Sequence, residues 1–200
     1  MQSPASRVLI LASTSRYRRE LLERLRLPFS VQAPGVDETP LPGEAPAALA
    51  KRLALAKAFV VAKTAPHALV IGCDQVAELN GQALGKPGHY ENAVTQLRAM
   101  RGQTVVFQTA MAVVCRDSGF CESVLVPVRV AYRDATDGEI DFYLRTEEPY
   151  DCAGSVKSEG MGIALMQSID NDDPTALIGL PLIRLSALLR QAGIPVLGSA

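Results

Sequence analysis

Two consecutive segments rich in β-branched residues, "TVVFQTAMAVVCRD" (104–117) and "ESVLVPVRVAYRD" (122–134), flank a Ser118-Gly119 turn. No other feature of the chain constrains the fold as much. Segments of this kind, joined this tightly, pair as an antiparallel hairpin, and a hairpin inside the sheet excludes a purely parallel architecture. Pro127, in the second segment, predicts an edge position or a bulge, because proline has no N–H to give to a ladder.

Helical and strand patterns interleave around this hairpin. Residues 8–12, "VLILA", form an apolar run suited to a buried strand, and Leu21, Leu22 and Leu25 then recur at helical spacing. A helix is predicted over 47–63, with a stripe through Leu49, Leu53, Ala56 and Val60 on which Lys57 also falls. "ALVIGCDQVAEL" reads as a strand, and Asn80-Gly81 as a type I′ turn after it. A helix on Ala93, Leu97 and Met100 stops at Gly102. Thr136 and Glu139 have capping-box spacing and open a helix to about residue 145, and a final helix ends at Gly193. Interleaved helices and strands with one long hairpin predict a mixed α/β sheet flanked by helices.

The 200 residues fit one domain spanning 1–200, with room for two lobes about one cleft, and 48% hydrophobic content supplies a core. Twenty Lys plus Arg against 21 Asp plus Glu leave a net charge of -1. With no global field and no basic stripe interleaved with aromatics, a nucleic-acid partner is not expected. "MQSPASRVLILAS" has too short an apolar run for a signal peptide and no membrane-length span follows, so a cytoplasmic protein with no membrane partner is expected. Cys73, Cys115, Cys121 and Cys152 form no C-x-x-C pair and are read as reduced, mostly buried thiols.

Chemistry-bearing residues collect at few places. Ser13, Thr14 and Ser15 join the first strand to its helix, with Arg16, Arg18 and Arg19 crowding the first turn. Hydroxyls and free amides at a helix N-terminus make an anion site, and arginines grip phosphate oxygens in pairs. Cations there oppose the helix dipole, so their presence calls for a negative partner. Lys57 on an apolar stripe is either a snorkelling lysine or the edge of a pocket that meets an anion. Asp74 ends an apolar strand, where open α/β sheets place ligands, and can cap a loop, hold a divalent ion or activate water. Lys86 in "GKP" is a rigidly presented cation. Asp37 and Glu38 alone read as surface charge, and Asp170, Asp172 and Asp173 as turn and cap residues.

Taken in order, "LILASTSRYRRELL", "VDE", "RLALAKA", "IGCDQV", "LGKPG", "YDCAGSVKSEGMG" and "LIGLPLIRL" resemble the Maf family of nucleotide pyrophosphatases from about residue 8 to 190. The resemblance implies an elongated mixed sheet like that of inosine triphosphatases, with a nucleotide cleft, a divalent metal such as Mg or Mn, and a homodimer. The implied reaction takes a nucleoside triphosphate to its monophosphate and pyrophosphate. Carried over, Asp74 is general base or metal ligand, Glu38 is the second metal-binding acid, and Ser13, Arg18, Lys57 and Lys86 hold the triphosphate. Arg16 stands where the family commonly has proline and is expected to shape the turn without touching substrate. Tyr17, Gln75 and Glu159 resemble the branch acting on 7-methyl-GTP. An aromatic ring stacks on the cationic methylated guanine, and a carboxylate pairs with its positive charge or its N–H donors. The pyrimidine branch, acting on dTTP and UTP, and a nucleotide-binding regulator of cell division without turnover are the competing readings.

Overall fold

The computed structural model describes residues 8–197. The leader reading of the N-terminus rests partly on residues 1–7, which lie outside the described residues. The chain runs β1 (Leu9–Ala12), α1 (Arg16–Glu23), β2 (Phe29–Val31), α2 (Pro46–Thr64), β3 (Leu69–Leu79), β4 (Gln82–Leu84), α3 (Tyr90–Met100), β5 (Thr104–Cys115), β6 (Phe120–Tyr132), α4 (Asp137–Glu147), β7 (Met166–Asp170) and α5 (Leu182–Gln191). One seven-stranded sheet has the order β2-β1-β3-β5-β6-β7, with β4 paired to β3 off this path. β1 is parallel to β2 and β3, and the remaining pairings are antiparallel. The mixed α/β architecture expected from the hairpin is therefore present.

The β5–β6 hairpin closes through Gly119 at φ 68°, and Asn80 and Gly81 both have positive φ, as a type I′ turn requires. Pro127 pairs with Gln108 before the β7 ladder begins at Arg129, so it occupies an edge stretch of β6, while the bulge lies at Ala131/Tyr132. Strand β2 has no counterpart in the sequence reading, since three residues of which two are exposed leave no periodic signal.

Two corrections concern burial. On α2 the buried line runs Leu49, Leu53, Lys57, Val61, with Ala50, Ala54, Ala58 and Ala62 beside it, while Val60 is exposed and Ala56 only partly covered. A stripe stepping by four from Leu53 reaches Lys57 and Val61 and leaves Val60 on the outer face. Of the cysteines, only Cys73 and Cys115 are buried, and Cys121 on the β6 edge is exposed.

Alternation along β3 and β5 divides the core. Val70, Val76, Ala110, Ala112 and Val114 pack under α2. The opposite face carries two clusters, one beneath α1 and α5 with Ile71, Cys73 and Met111, the other beneath α3 and α4 with Ala77 and Phe107. Helix α2 lies very close to β3 because Gly72 has no side chain: a Cβ there would sit 2.2 Å from the Ala54 carbonyl oxygen. The close approach brings Lys57, on the buried face of α2, down onto the sheet beside Asp74. No helix among the described residues is long and apolar enough to cross a membrane.

Candidate active site

The cleft follows from a gap in the sheet. β1 pairs with β3 only as far as Ala12↔Gly72, and β4 pairs with it again from Ala77↔Leu84. Between them, residues 73–76 have β5 on one side and, among the described residues, no strand on the other. A cavity of about 690 Å³ occupies this gap, and the three consecutive residues Asp74, Gln75 and Val76 all line it although their side chains alternate in direction. The strand-to-helix join at 13–18 and the loop after β4 form its flanks. The volume suits a small-molecule ligand.

Ser15 caps α1, accepting from the Arg18 amide at 3.4 Å. Ser13 is buried, and its Oγ accepts from the Ser15 amide (3.1 Å) and lies 3.5 Å from Arg18 Nη1. Arg18 Nε donates to the Gly179 carbonyl at 3.1 Å, which turns the guanidinium across the helix N-terminus rather than out to solvent. Arg19 behaves differently and makes an exposed pair with Glu23 at 3.0 Å.

Lys57 is the centre of the charged end. Its Nζ lies 2.6 Å from Asp74 Oδ1 and 2.5 Å from Glu38 Oε1, with the lysine and aspartate side chains only 6% and 9% exposed. The snorkelling reading of Lys57 is thereby excluded, and Glu38 is not a free surface charge. Burial raises the Asp74 carboxyl above its ordinary range despite opposition from Lys57 and Arg18, and nearby Glu38 adds to the rise. Burial also pushes Glu38 up, but there the hydrogen bond and charge of Lys57, helped by Lys86 and Arg18, win and hold it low. The two acids thus differ through exposure, Asp74 being enclosed and Glu38 half open. Lys86 stands exposed at the rim. Two carboxylates converging on one cationic position suit a hard divalent ion that completes its shell with phosphate oxygens. Among the described residues no group of three or more His, Cys, Asp and Glu forms a metal cluster by itself.

The other end of the cavity is lined by Tyr17, Asp151, Cys152, Ser158 and Glu159. Arg16 also lines it, contrary to the expectation that it only shapes the turn. Its Nη2 donates to the Tyr17 hydroxyl at 2.8 Å and its guanidinium stacks 4.7 Å from the ring centroid, so this ring already carries a planar cation. Burial raises the Tyr17 phenol to about 12 and the Cys152 thiol to about 11, and the two groups lie 3.8 Å apart. The acids acting on Cys152 are Asp151 and Glu159, whereas the charges acting on Glu38 are the three cations. Both ends are mixed in charge: Arg18, Lys57 and Lys86 face Glu38 and Asp74 at one, an excess of one positive charge, while Asp151 and Glu159 face Arg16 at the other, an excess of one negative charge.

Gln75 lies between the two ends. Its Nε2 donates toward Thr109 Oγ1 (2.8 Å), the Leu177 carbonyl (2.9 Å) and the Ala176 carbonyl (3.0 Å). The segment it holds is braced by Asp173, whose carboxylate accepts from Thr175 Oγ1 and from the Arg184 amide at the start of α5. The reading of Asp173 as a cap holds, although the helix it caps begins several residues on. Ser13, Arg18, Lys57, Asp74 and Lys86 stand out in the sequence itself, whereas Glu38 reads there as surface charge and Tyr17, Gln75 and Glu159 are singled out by the resemblance alone. Asp151, Cys152 and Thr109 were missed, because a loop acid, a lone thiol and a strand threonine carry no periodic signal of their own.

Residues 8–192 match the family described as Maf-like protein. A Polaromonas relative named 7-methyl-GTP pyrophosphatase is 69% identical over 96% of this chain and 88% of its own length. Relatives of the same name from Albidiferax ferrireducens and Nitrosococcus oceani are 61% and 56% identical, covering 100% and 98% of this chain and 100% and 99% of theirs. A solved nucleoside-triphosphatase, a dITP/XTP pyrophosphatase from Mycobacterium abscessus, is similar at a TM-score of 0.41 and 15% identity over 70% of this chain and 95% of its own, too distant to bear weight.

Proposed function

This chain belongs to the Maf family, and from that premise we propose that it hydrolyses 7-methyl-GTP to 7-methyl-GMP and pyrophosphate. The observation that carries the reading is the polarity of the cleft. A nucleotide with an anionic tail and a cationic base fits in one direction, its triphosphate toward Arg18, Lys57 and Lys86 and its base toward Tyr17, Asp151 and Glu159.

Ser13, the first amides of α1 and Arg18 receive phosphate oxygens, and Lys57 and Lys86 neutralise charge that develops as the α–β anhydride breaks. Asp74, its carboxyl raised by burial, takes a proton from the water that attacks the α-phosphorus, and pyrophosphate leaves. When bound, a divalent cation such as Mg²⁺ or Mn²⁺, held by Glu38 and Asp74, supplies further charge neutralisation at the phosphates. Lys57 keeps the two acids oriented toward the same point before substrate arrives. At the other end, the face of the Tyr17 ring opposite Arg16 stacks on the methylated purine and Glu159 meets its positive charge.

The test is incubation of purified protein with 7-methyl-GTP, GTP, UTP or dTTP and Mg²⁺ or Mn²⁺, with products identified. Release of monophosphate and pyrophosphate, fastest from 7-methyl-GTP, is the expected result. A preference for UTP or dTTP would move the chain to the pyrimidine branch, and absence of turnover with every nucleotide would favour a binding role.

A further inference from the structure

We propose that Thr109, buried in the sheet and not itself lining the cleft, is a positioning residue that clamps the Gln75 amide in the orientation the Ala176 and Leu177 carbonyls set, with its oxygen toward the base. The inference rests on the proposed nucleotide reading and deepens it. Thr109 is directly opposite Gln75 in the β3–β5 ladder, so their side chains rise from the same face of the sheet. Its residue exposure is 0%, and its Oγ1 donates its hydrogen to the Ala176 carbonyl at 2.9 Å.

With that hydrogen engaged, the Thr109 oxygen can only accept from Gln75. The Ala176 and Leu177 carbonyls are acceptors by nature. Three oxygens at 2.8, 2.9 and 3.0 Å from one end of the Gln75 amide therefore require that end to be the NH₂ group. A flipped amide would set its oxygen against three others. The Gln75 Oε1 is consequently held on the remaining side of the amide, and Gln75 lines the cavity. The cleft thus presents a fixed hydrogen-bond acceptor and discriminates in favour of a base with an N–H donor on its edge.

The arrangement also links the two ends of the cleft. The segment whose Ala176 and Leu177 carbonyls hold Gln75 continues to Gly179, whose carbonyl accepts from Arg18 Nε and from Cys73 Sγ. Among the described residues Thr109 is the one side chain that bonds both to Gln75 and to this segment, so removing its hydroxyl loosens the amide without touching a ligand.

The experiment measures binding of GTP and of purine riboside triphosphate, the same bicycle without any N–H donor on its edge, by calorimetry in EDTA. Wild type, Thr109→Val and Thr109→Ser are compared, with tripolyphosphate as a probe of the phosphate end and thermal melting as a probe of folding. Wild type is expected to prefer GTP, Thr109→Val to lower that preference by about tenfold, and Thr109→Ser to retain it, with tripolyphosphate affinity equal in all three. Thr109→Ala carries the same comparison if the valine variant does not fold. An unchanged preference in the hydroxyl-free variant, an equal loss for both nucleotides and tripolyphosphate, or no preference for GTP in wild type would overturn the proposal. Both probes lack the 7-methyl group, so a failure of the 7-methyl-GTP assignment shows in the substrate panel and leaves this result standing.

Discussion

Asp74 and Gln75 are neighbours on one strand, yet they belong to opposite sides of the sheet and to different kinds of site. Asp74 faces α2, where it is enclosed with Lys57 and its carboxyl is raised by burial. Gln75 faces the α5 side, where neutral hydrogen bonds to Thr109 and two carbonyls hold it. The contrast teaches a division of labour. One face supplies buried charge, which can assist bond cleavage in any triphosphate, and the other supplies fixed hydrogen-bond polarity and exposed loop residues, which can tell one base from another.

The largest effect should come from the charged face. Asp74→Asn keeps the shape and removes the base, and kcat should fall by about 10²- to 10⁴-fold with every nucleotide while circular dichroism and melting remain near wild type. Near-normal turnover would dissolve the division, because no other buried carboxylate lines the cavity among the described residues.

Lys57→Met sharpens the same point through pH. Breaking a buried pair leaves Asp74 without its counter-charge and should cost about 3 kcal/mol of stability near neutral pH, measured by denaturant titration. The sign follows from the direction of the shift. A carboxyl raised in the folded state stabilises below its unfolded pKa, and that contribution is lost as pH rises through the folded value. Glu38, held low, contributes above its unfolded pKa and loses that contribution as pH falls through the folded one. Removing Lys57 raises Asp74 further, so the destabilisation should shrink in mildly acidic buffer and the acidic limb of kcat/KM should move upward. A pH-independent loss would mean that Lys57 acts through packing alone.

Gly72→Ala tests what holds α2 against that face. The added methyl meets the Ala54 carbonyl at 2.2 Å and the Ala58 amide at 2.6 Å, both backbone atoms, so the helix must lift. A loss of about 3 kcal/mol in melting or denaturant experiments is expected, with turnover reduced in whatever fraction remains folded. Unaltered stability would show that the close approach is not required.

The charged face was far more legible in the sequence than the other. Lys57 announced itself as a cation on an apolar stripe and Asp74 as an acid closing an apolar run, because burying charge violates local pattern and so marks function, although Asp74 lies in the middle of β3 and meets the cleft through the gap beside it rather than at a strand end. The hairpin, the capping box at Thr136 and the stops at Gly102 and Gly193 were legible for the opposite reason: each is a local rule obeyed within a few residues. The gap between β1 and β4 was not, since it depends on two strands meeting a third at different points along its edge. Nor was the hold on Gln75, whose partners lie 34 to 102 residues away and include two backbone carbonyls without sequence identity. Arg16 shows the same limit, for its contact with Tyr17 is adjacent in sequence but its place in the cleft is set by the fold.

The division between the faces is tested most directly by one ratio, kcat/KM for 7-methyl-GTP over UTP, measured on wild type, Asp74→Asn and Glu159→Gln. In Asp74→Asn both values should fall together and leave the ratio unchanged. In Glu159→Gln the ratio should drop by about tenfold through loss of the methylated purine alone. A ratio that shifts with Asp74, or a Glu159 variant that lowers both nucleotides equally, would contradict the assignment of chemistry to one end of the cleft and base selection to the other.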